Sequence, residues 1–186
     1  MEIQEVLNKT KELMQKSEEF YKSQISKVRT GRASASIVDN VKVDYYGSMT
    51  PISQVSSISV PDARTIVIQP WDRGTVNAIE KAILQADLGF NPQNDGNVIR
   101  IPVPPLTQER RKEFVKLCKK YTEDGKVAIR NIRRDQVEFL RKGEKSKQFT
   151  EDQLKEGEEK IQKITDEFIK KIDTLFAQKE KELMDE

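Results

Sequence analysis

The stretch from Thr107 to Lys142 constrains the fold of this chain more than any other. It has no proline and a single glycine, Gly125, in 36 residues, and as one continuous helix it would extend about 50 Å. On a helical wheel its apolar side chains share one arc, which is the pattern of an amphipathic helix with one buried face. That arc contains Phe114, Cys118, Tyr121, Ile129, Ile132 and Phe139.

The charged residues of this stretch are sorted by sign. The acids occupy a separate sector, whereas the cations share an arc about 100° wide, interrupted only by Glu123 and Val137. We call these cations the basic stripe: Lys112, Lys116, Lys119, Lys126, Arg130, Arg133, Arg134 and Arg141. Near its centre lysine gives way to arginine, whose planar guanidinium suits phosphate. Such a stripe is typical of a phosphate-binding surface, although an ordinary solvated face is the alternative.

Composition supports an elongated helical protein. Charged residues make up 34% of the chain and hydrophobic residues 35%, which favours long amphipathic helices over one thick core. The net charge is only +2, but residues 106–142 carry +6 and residues 143–186 carry −4. Positive charge is therefore concentrated in the segment that contains the stripe.

Cysteine content and the N-terminal residues indicate the compartment. Cys118 is the only cysteine, so no internal disulfide can form, as is usual in a reducing compartment, and its place in the apolar arc favours a core role. The first residues lack the layout of a secretion signal. No apolar run approaches the roughly 20 residues of a membrane span. We expect a soluble, cytoplasmic protein.

Two further segments predict helices that pack against the basic one. Residues 2–28 repeat apolar side chains at intervals of three, four and seven. Residues 142–147 are expected to break the basic helix, and Thr150 and Gln153 then form a capping-box pattern before the next apolar stripe. Residues 1–30 and 106–186 are therefore predicted to form an elongated three-helix bundle.

Residues 31–105 differ in composition from the rest of the chain and predict a small inserted α+β domain. All seven prolines lie here. Alternating residues predict strands near 41–46, 58–60, 65–68 and 98–103, with Tyr45 and Tyr46 interpreted as strand packing. Residues 75–86 predict a short helix whose buried side contains Val76, Ile79, Ile83 and Leu84.

The chain crosses between the two predicted domains twice. The first crossing follows the first helix, where Arg29 to Ala33 are read as a helix exit with positive charge in its last turn. The second lies at the prolines before the basic helix, because proline holds the backbone extended. The predicted two-strand hinge consists of Thr30, Gly31, Pro104, Pro105 and Leu106.

Five motifs, in this order and over the whole chain, give the sequence a family resemblance. Together they resemble the bacterial ribosome recycling factors. The motifs are Arg29-Thr30-Gly31-Arg32-Ala33, Asp44-Tyr45-Tyr46-Gly47, Asp87-Leu88-Gly89-Phe90-Asn91-Pro92, Pro104-Pro105-Leu106-Thr107 with Glu109-Arg110-Arg111-Lys112, and the run from Val127 to Asp135.

The resemblance implies an L-shaped, tRNA-like monomer in which the bundle joins a small β/α/β domain through a flexible hinge. It implies a factor that acts after termination, with elongation factor G and GTP, to split the ribosome into subunits and release mRNA. The bundle would lie against the ribosomal RNA of the large subunit, and elongation factor G would push the small domain.

The resemblance also implies site residues. Arg130 and Arg133 match positions that the family uses to contact ribosomal RNA, and Arg29 and Arg32 match a basic corner beside the hinge. To these we add Arg110, Arg111 and Arg134, with structural salt bridges as the alternative for all seven and Glu138 as a specific alternative partner of Arg134. Contact through the RNA backbone is the expected mode.

The sequence does not resemble an enzyme. It contains no histidine, no Walker or dinucleotide-binding glycine loop, and no cysteine cluster for zinc. We therefore predict no catalytic residues, no metal and no cofactor. The competing hypothesis is a helical coiled-coil adaptor whose basic stripe binds an acidic protein.

Overall fold

The computed structural model describes residues 2–185, which divide into two compact units. One unit joins the residues up to Thr30 to those from Gln108 onward, and the other is Gly31–Thr107. The fold is α+β, with three long helices in the first unit and short strands with one short helix in the second. The helices are α1 (Ile3–Ser26), α2 (Val76–Gln85), α3 (Gln108–Lys145) and α4 (Glu151–Met184).

Helices α1, α3 and α4 pack around one apolar core. Thr150 caps α4 as predicted, because its Oγ1 accepts a hydrogen bond from the Gln153 amide and the Gln153 side chain accepts one from the Thr150 amide. Within residues 2–185, each helix is either too short or too polar to span a membrane. Fully buried members of this core include Met14, Tyr21, Ile129, Leu140, Ile161 and Ile172.

The predicted buried arc of α3 is wrong at Phe139, which is 41% exposed, whereas Leu140 is fully buried. Leu140 follows Ile129 by eleven residues, which is close to three whole helical turns, so the two lie on one line of the helix. Phe139 falls roughly 80° away from that line. The buried line therefore continues through Leu140.

Helix α3 also ends later than predicted. Gly143 does not break the helix but lies inside it, buried, and the next residues fold back over it. The amides of Gln148 and Phe149 both donate to the Gly143 carbonyl, at 2.8 and 3.2 Å, and the buried Phe149 ring occupies the space that a side chain at position 143 would need. An added Cβ there would lie only 2.5 Å from Phe149 Cε2, so the glycine permits close approach.

Helix α1 ends earlier than predicted. Its last residue is Ser26 and its cap is Lys27, so Arg29 lies beyond the helix and the last turn contains no basic residue. The Ser26 hydroxyl donates to the Ser23 carbonyl at 2.9 Å. A hydroxyl that satisfies a carbonyl in this way competes with continuation of the helix.

A buried polar chain crosses the bundle core between α1 and α3. The Thr122 hydroxyl donates to the Cys118 carbonyl at 2.7 Å, and Tyr21 Oη lies 2.6 Å from Thr122 Oγ1. Because the single Thr122 hydroxyl proton is already used, the Tyr21 hydroxyl is the donor. Burial raises the pKa of Tyr21 to about 12.

We expect Tyr21→Phe to lower the free energy of unfolding by about 1 kcal/mol at pH 8, because one buried hydrogen bond is lost. The pKa of Tyr21 is about 12 in the folded protein and about 10 in an unfolded chain. The stability supplied by the neutral phenol is therefore complete below pH 10 and is lost as the pH rises toward 12. That loss approaches about 3 kcal/mol. The stability curves of wild type and variant, measured by urea unfolding, should cross in this interval; a difference independent of pH would contradict this.

The second unit is built on antiparallel strands. A two-stranded sheet pairs β1 (Lys42–Tyr45) with β2 (Ser48–Pro51). A four-stranded sheet has the order β3-β4-β6-β5, and alternating isoleucines of β4 and β6 join α2 in one core. The remaining strands are β3 (Ser56–Asp62), β4 (Thr65–Pro70), β5 (Gln93–Asn94) and β6 (Ile99–Pro102).

Strands and a helix form where the sequence predicted them, with two corrections. Leu84 is exposed rather than buried, because it lies about 100° around α2 from the buried Ile83. Tyr46 is 77% exposed, because it lies in the two-residue turn between β1 and β2 with a φ of +50°. Tyr45 alone packs against the core.

Candidate nucleic-acid interface

Helix α3 presents most of the basic stripe at the surface of the first unit. Two members, Lys126 and Arg133, are partly buried. The stripe runs about 45 Å along the helix from Lys112 to Arg141. The exposed members are Lys112, Lys116, Lys119, Arg130, Arg134 and Arg141.

Two members of the stripe are paired with carboxylates of α4. Lys126 Nζ lies 2.5 Å from Asp173 Oδ1, and Arg141 Nε lies 2.7 Å from Glu158 Oε1. These ion pairs link α3 to α4. Their positive charges are therefore partly balanced within the protein.

Arg130 and Arg133, at the centre of the stripe, have weaker or neutral partners. Arg130 Nη1 lies 3.5 Å from Glu123 Oε1, and its side chain is 46% exposed. Arg133 Nη1 donates to Gln162 Oε1 at 3.1 Å, which is a contact with an uncharged amide. Exposed ion pairs as long as that of Arg130 add little stability. Both guanidinium groups are thus available to an external anion.

Arg134 remains on the stripe, but the alternative prediction that it pairs with Glu138 is wrong. Arg134 Nε lies 3.5 Å from Asp135 Oδ1, with the side chain largely exposed. Glu138 instead pairs with Lys142 Nζ at 3.4 Å. Arg134 is therefore on the same surface as Arg130.

Helix α3 does not bring Arg110 and Arg111 onto the stripe. Arg110 precedes Arg130 by twenty residues, which places it roughly 200° around the helix axis, and its Nη1 lies 3.5 Å from Glu113 Oε2. Arg111 precedes Ile129 by eighteen residues, about five whole turns, so it lies on the buried line and is partly buried. The two residues thus face other directions than the stripe.

The remaining predicted residues lie where the chain passes between the units. Arg29 and Arg32 are both exposed, on either side of the boundary between Thr30 and Gly31. Gly31 has a φ of +79°, and a Cβ added to it would lie 3.0 Å from Leu106 Cγ and 3.2 Å from Leu106 N. The two chain crossings thus touch at Gly31 and Leu106, whereas Pro104 and Pro105 are exposed.

The turn between β3 and β4 holds both crossings together, through residues that sequence reasoning missed. The Ala63 carbonyl accepts a hydrogen bond from the Ala33 amide at 2.8 Å, and the Arg64 carbonyl accepts one from the Val103 amide at 2.7 Å. Arg64 Nη1 also donates to the Gly31 carbonyl at 3.2 Å. We call Ala63 and Arg64, with these three bonds, the clasp.

Comparison with known proteins assigns the family. The family described as ribosome recycling factor matches residues 21–184. The chain belongs to the ribosome recycling factor family. This confirms the resemblance drawn from the five motifs.

Named relatives match almost the whole chain. A ribosome-recycling factor of Oleidesulfovibrio alaskensis is 56% identical over 180 residues, covering 97% of this chain and 98% of that protein. The ribosome-recycling factor of Bacillus subtilis is 53% identical over 181 residues, covering 97% of this chain and 98% of that protein.

Solved structures of ribosome recycling factors share the fold. A solution structure of a ribosome recycling factor has a TM-score of 0.79 and 45% identity, covering 99% of this chain and 98% of that one. The Thermus thermophilus factor, described with Escherichia coli elongation factor G on the E. coli post-termination complex, has a TM-score of 0.66. It is 46% identical, and the match covers 99% of this chain and 100% of that one.

Within residues 2–185, no three His, Cys, Asp or Glu side chains are grouped so that they could hold a metal ion. Cys118 is buried, and burial raises the pKa of its thiol. A thiol of this kind is less reactive than an exposed one at neutral pH.

Proposed function

We propose that this protein splits the post-termination ribosome into subunits and releases mRNA, together with elongation factor G and GTP. The observation that carries the proposal is the pair Arg130 and Arg133 at the centre of a long helix, where Arg130 has only a 3.5 Å contact with a carboxylate and Arg133 has a neutral amide partner. Family membership supports the ribosome as the target, because the T. thermophilus relative is described on the post-termination complex with elongation factor G. In this proposal the protein catalyses no reaction, and elongation factor G supplies the GTP chemistry.

The proposed binding surface is the basic stripe on the first unit. Its guanidinium groups would contact phosphates of large-subunit ribosomal RNA, because A-form RNA is recognised mostly through its backbone and shape. Arg134 belongs to this surface. Arg29 and Arg32, on either side of the boundary between the units, are proposed as further RNA contacts. Arg110 and Arg111 face elsewhere on α3, so this proposed surface does not include them.

Thr30, Gly31, Pro104, Pro105 and Leu106 are proposed to act as the hinge. The contact between Gly31 and Leu106 and the clasp tie the two crossings together at the end of the second unit. Because the two crossings are connected to each other, we expect them to bend together. A force on the second unit would then act on the first unit through a single joint, which suits mechanical separation of subunits.

We expect Gly31→Ala to slow subunit splitting at least threefold while changing large-subunit affinity less than twofold. The Cβ of an alanine at position 31 would crowd Leu106, and the alanine would have to keep the positive φ of Gly31. A left-handed backbone costs alanine about 1–2 kcal/mol. We therefore expect the substitution to displace the hinge. Gly89→Ala is the matched control, because Gly89 has a φ of +78° but no atom within 4 Å of the added Cβ. Equal splitting rates for the two variants would contradict the hinge assignment.

The experiment that tests the function is a subunit-splitting assay on purified post-termination ribosomes. Light scattering is followed after addition of this protein with elongation factor G and GTP, with each component omitted in turn. We expect rapid splitting only when all are present. If the folded protein fails to accelerate splitting, the proposed function is wrong.

A further inference from the structure

Three side-chain bridges connect α3 to α4 along one edge of the bundle. Their cations are spaced by seven and eight residues on α3, so they lie along one side of that helix. The two outer cations meet carboxylates, whereas the central one meets a neutral amide. The bridges are Lys126 to Asp173, Arg133 to Gln162, and Arg141 to Glu158.

The orientation of the central amide is determined by its neighbours. Gln162 Nε2 donates to Asp166 Oδ1 at 2.8 Å, one turn further along α4. A carboxylate only accepts hydrogen bonds and a guanidinium only donates them. The NH₂ group of Gln162 must therefore face Asp166, and its carbonyl oxygen must face Arg133.

A neutral acceptor has a different effect from a carboxylate. Either partner restricts the rotamers of a long arginine side chain before an anion arrives, which lowers the entropy lost on binding. A carboxylate at the same position would also balance the charge and compete with phosphate. The Gln162 carbonyl orders Arg133 and leaves its full positive charge for a ligand.

We propose that Gln162, held by Asp166, is a positioning residue that orders Arg133 for binding of RNA phosphate. This proposal rests on the proposed function of the basic stripe. It adds α4 to the binding surface, although Gln162 itself carries no charge. It also distinguishes Arg133 from Lys126 and Arg141, whose close carboxylate partners fit them for linking the helices.

The test is equilibrium binding of purified large ribosomal subunits over a range of salt concentrations. We expect Arg133→Ala to weaken binding about 10-fold or more, and Gln162→Ala about 3- to 10-fold with an unchanged salt slope. In an Arg133→Ala background, Gln162→Ala should add nothing, because its effect passes through Arg133. Gln162→Glu should weaken binding and also reduce the salt slope by roughly one unit, because it neutralises Arg133.

The variants separate failure of this inference from failure of the function. If Arg133→Ala has no effect, the stripe assignment is wrong. If Arg133→Ala weakens binding but Gln162→Ala is silent, or lowers affinity equally in both backgrounds, Gln162 is not a positioning residue. The matched control is Gln178→Ala, because Gln178 is an exposed glutamine elsewhere on α4. Thermal unfolding of every variant measures whether the bundle stays intact.

Discussion

Replacing Arg130 and Arg133 together by alanine should lower the affinity for purified large ribosomal subunits about 100-fold at moderate salt. Each guanidinium would lose a charge-assisted hydrogen bond to phosphate, worth about 1.5 kcal/mol or roughly 10-fold in affinity. The slope of log K against log salt should also become shallower by one to two units, because fewer counterions are released. Filter binding or sedimentation at several salt concentrations measures both quantities.

A double variant elsewhere on the same helix provides the control. Arg110→Ala with Lys142→Ala also removes two positive charges, but these positions lie about 160° and about 120° around α3 from Arg130. We expect the affinity of this control variant for large subunits to fall less than 3-fold, because it loses positive charge but no specific contact with phosphate. Equal losses in the two double variants would show that overall charge, not the stripe, governs binding.

The largest expected effect on stability comes from Gly143→Ala. The new methyl group would overlap the buried Phe149 ring, and the backbone bonds of Gln148 and Phe149 to Gly143 prevent the ring from moving away cheaply. We expect a loss of about 3 kcal/mol in the free energy of unfolding, which outweighs the helix propensity gained by alanine. Urea unfolding followed by circular dichroism gives the value.

The same substitution at Gly125 should have the opposite sign. A Cβ at Gly125 would meet Tyr21 and Ile172 at 3.5 and 3.6 Å, which are ordinary contact distances. Gly125→Ala should therefore stabilise the protein by about 0.5–1 kcal/mol through helix propensity. Two variants that shift stability in the same direction would mean that crowding by Phe149 does not govern position 143.

The sequence predicted the features that depend on local periodicity. Apolar spacing located the long helices, because a helix buries one face at a fixed angular interval. The pattern at Thr150 and Gln153 predicted the start of α4, because its hydrogen bonds form within four residues. The stripe was visible because its members share one helix, although their contact with RNA stays a proposal.

Features that depend on tertiary contacts are not visible in the sequence. The sequence predicts a helix break at residues 142–147, because no periodic pattern shows that the chain folds back and packs Phe149 against Gly143. No sequence pattern points to Gln162, because its proposed role depends on how α3 and α4 align. Arg64 was missed for the same reason, since its partner Gly31 lies 33 residues earlier.

The clasp has a consequence for how the chain folds. Residues 27–107, which are 81 residues, separate α1 from α3, yet the clasp brings the two ends of that insertion side by side. While the insertion is folded, it behaves as a loop of only a few residues; unfolded, it would add about 2–3 kcal/mol of closure entropy to assembly of the helices. The folded second unit thereby stabilises the three-helix bundle through the connectivity of the chain.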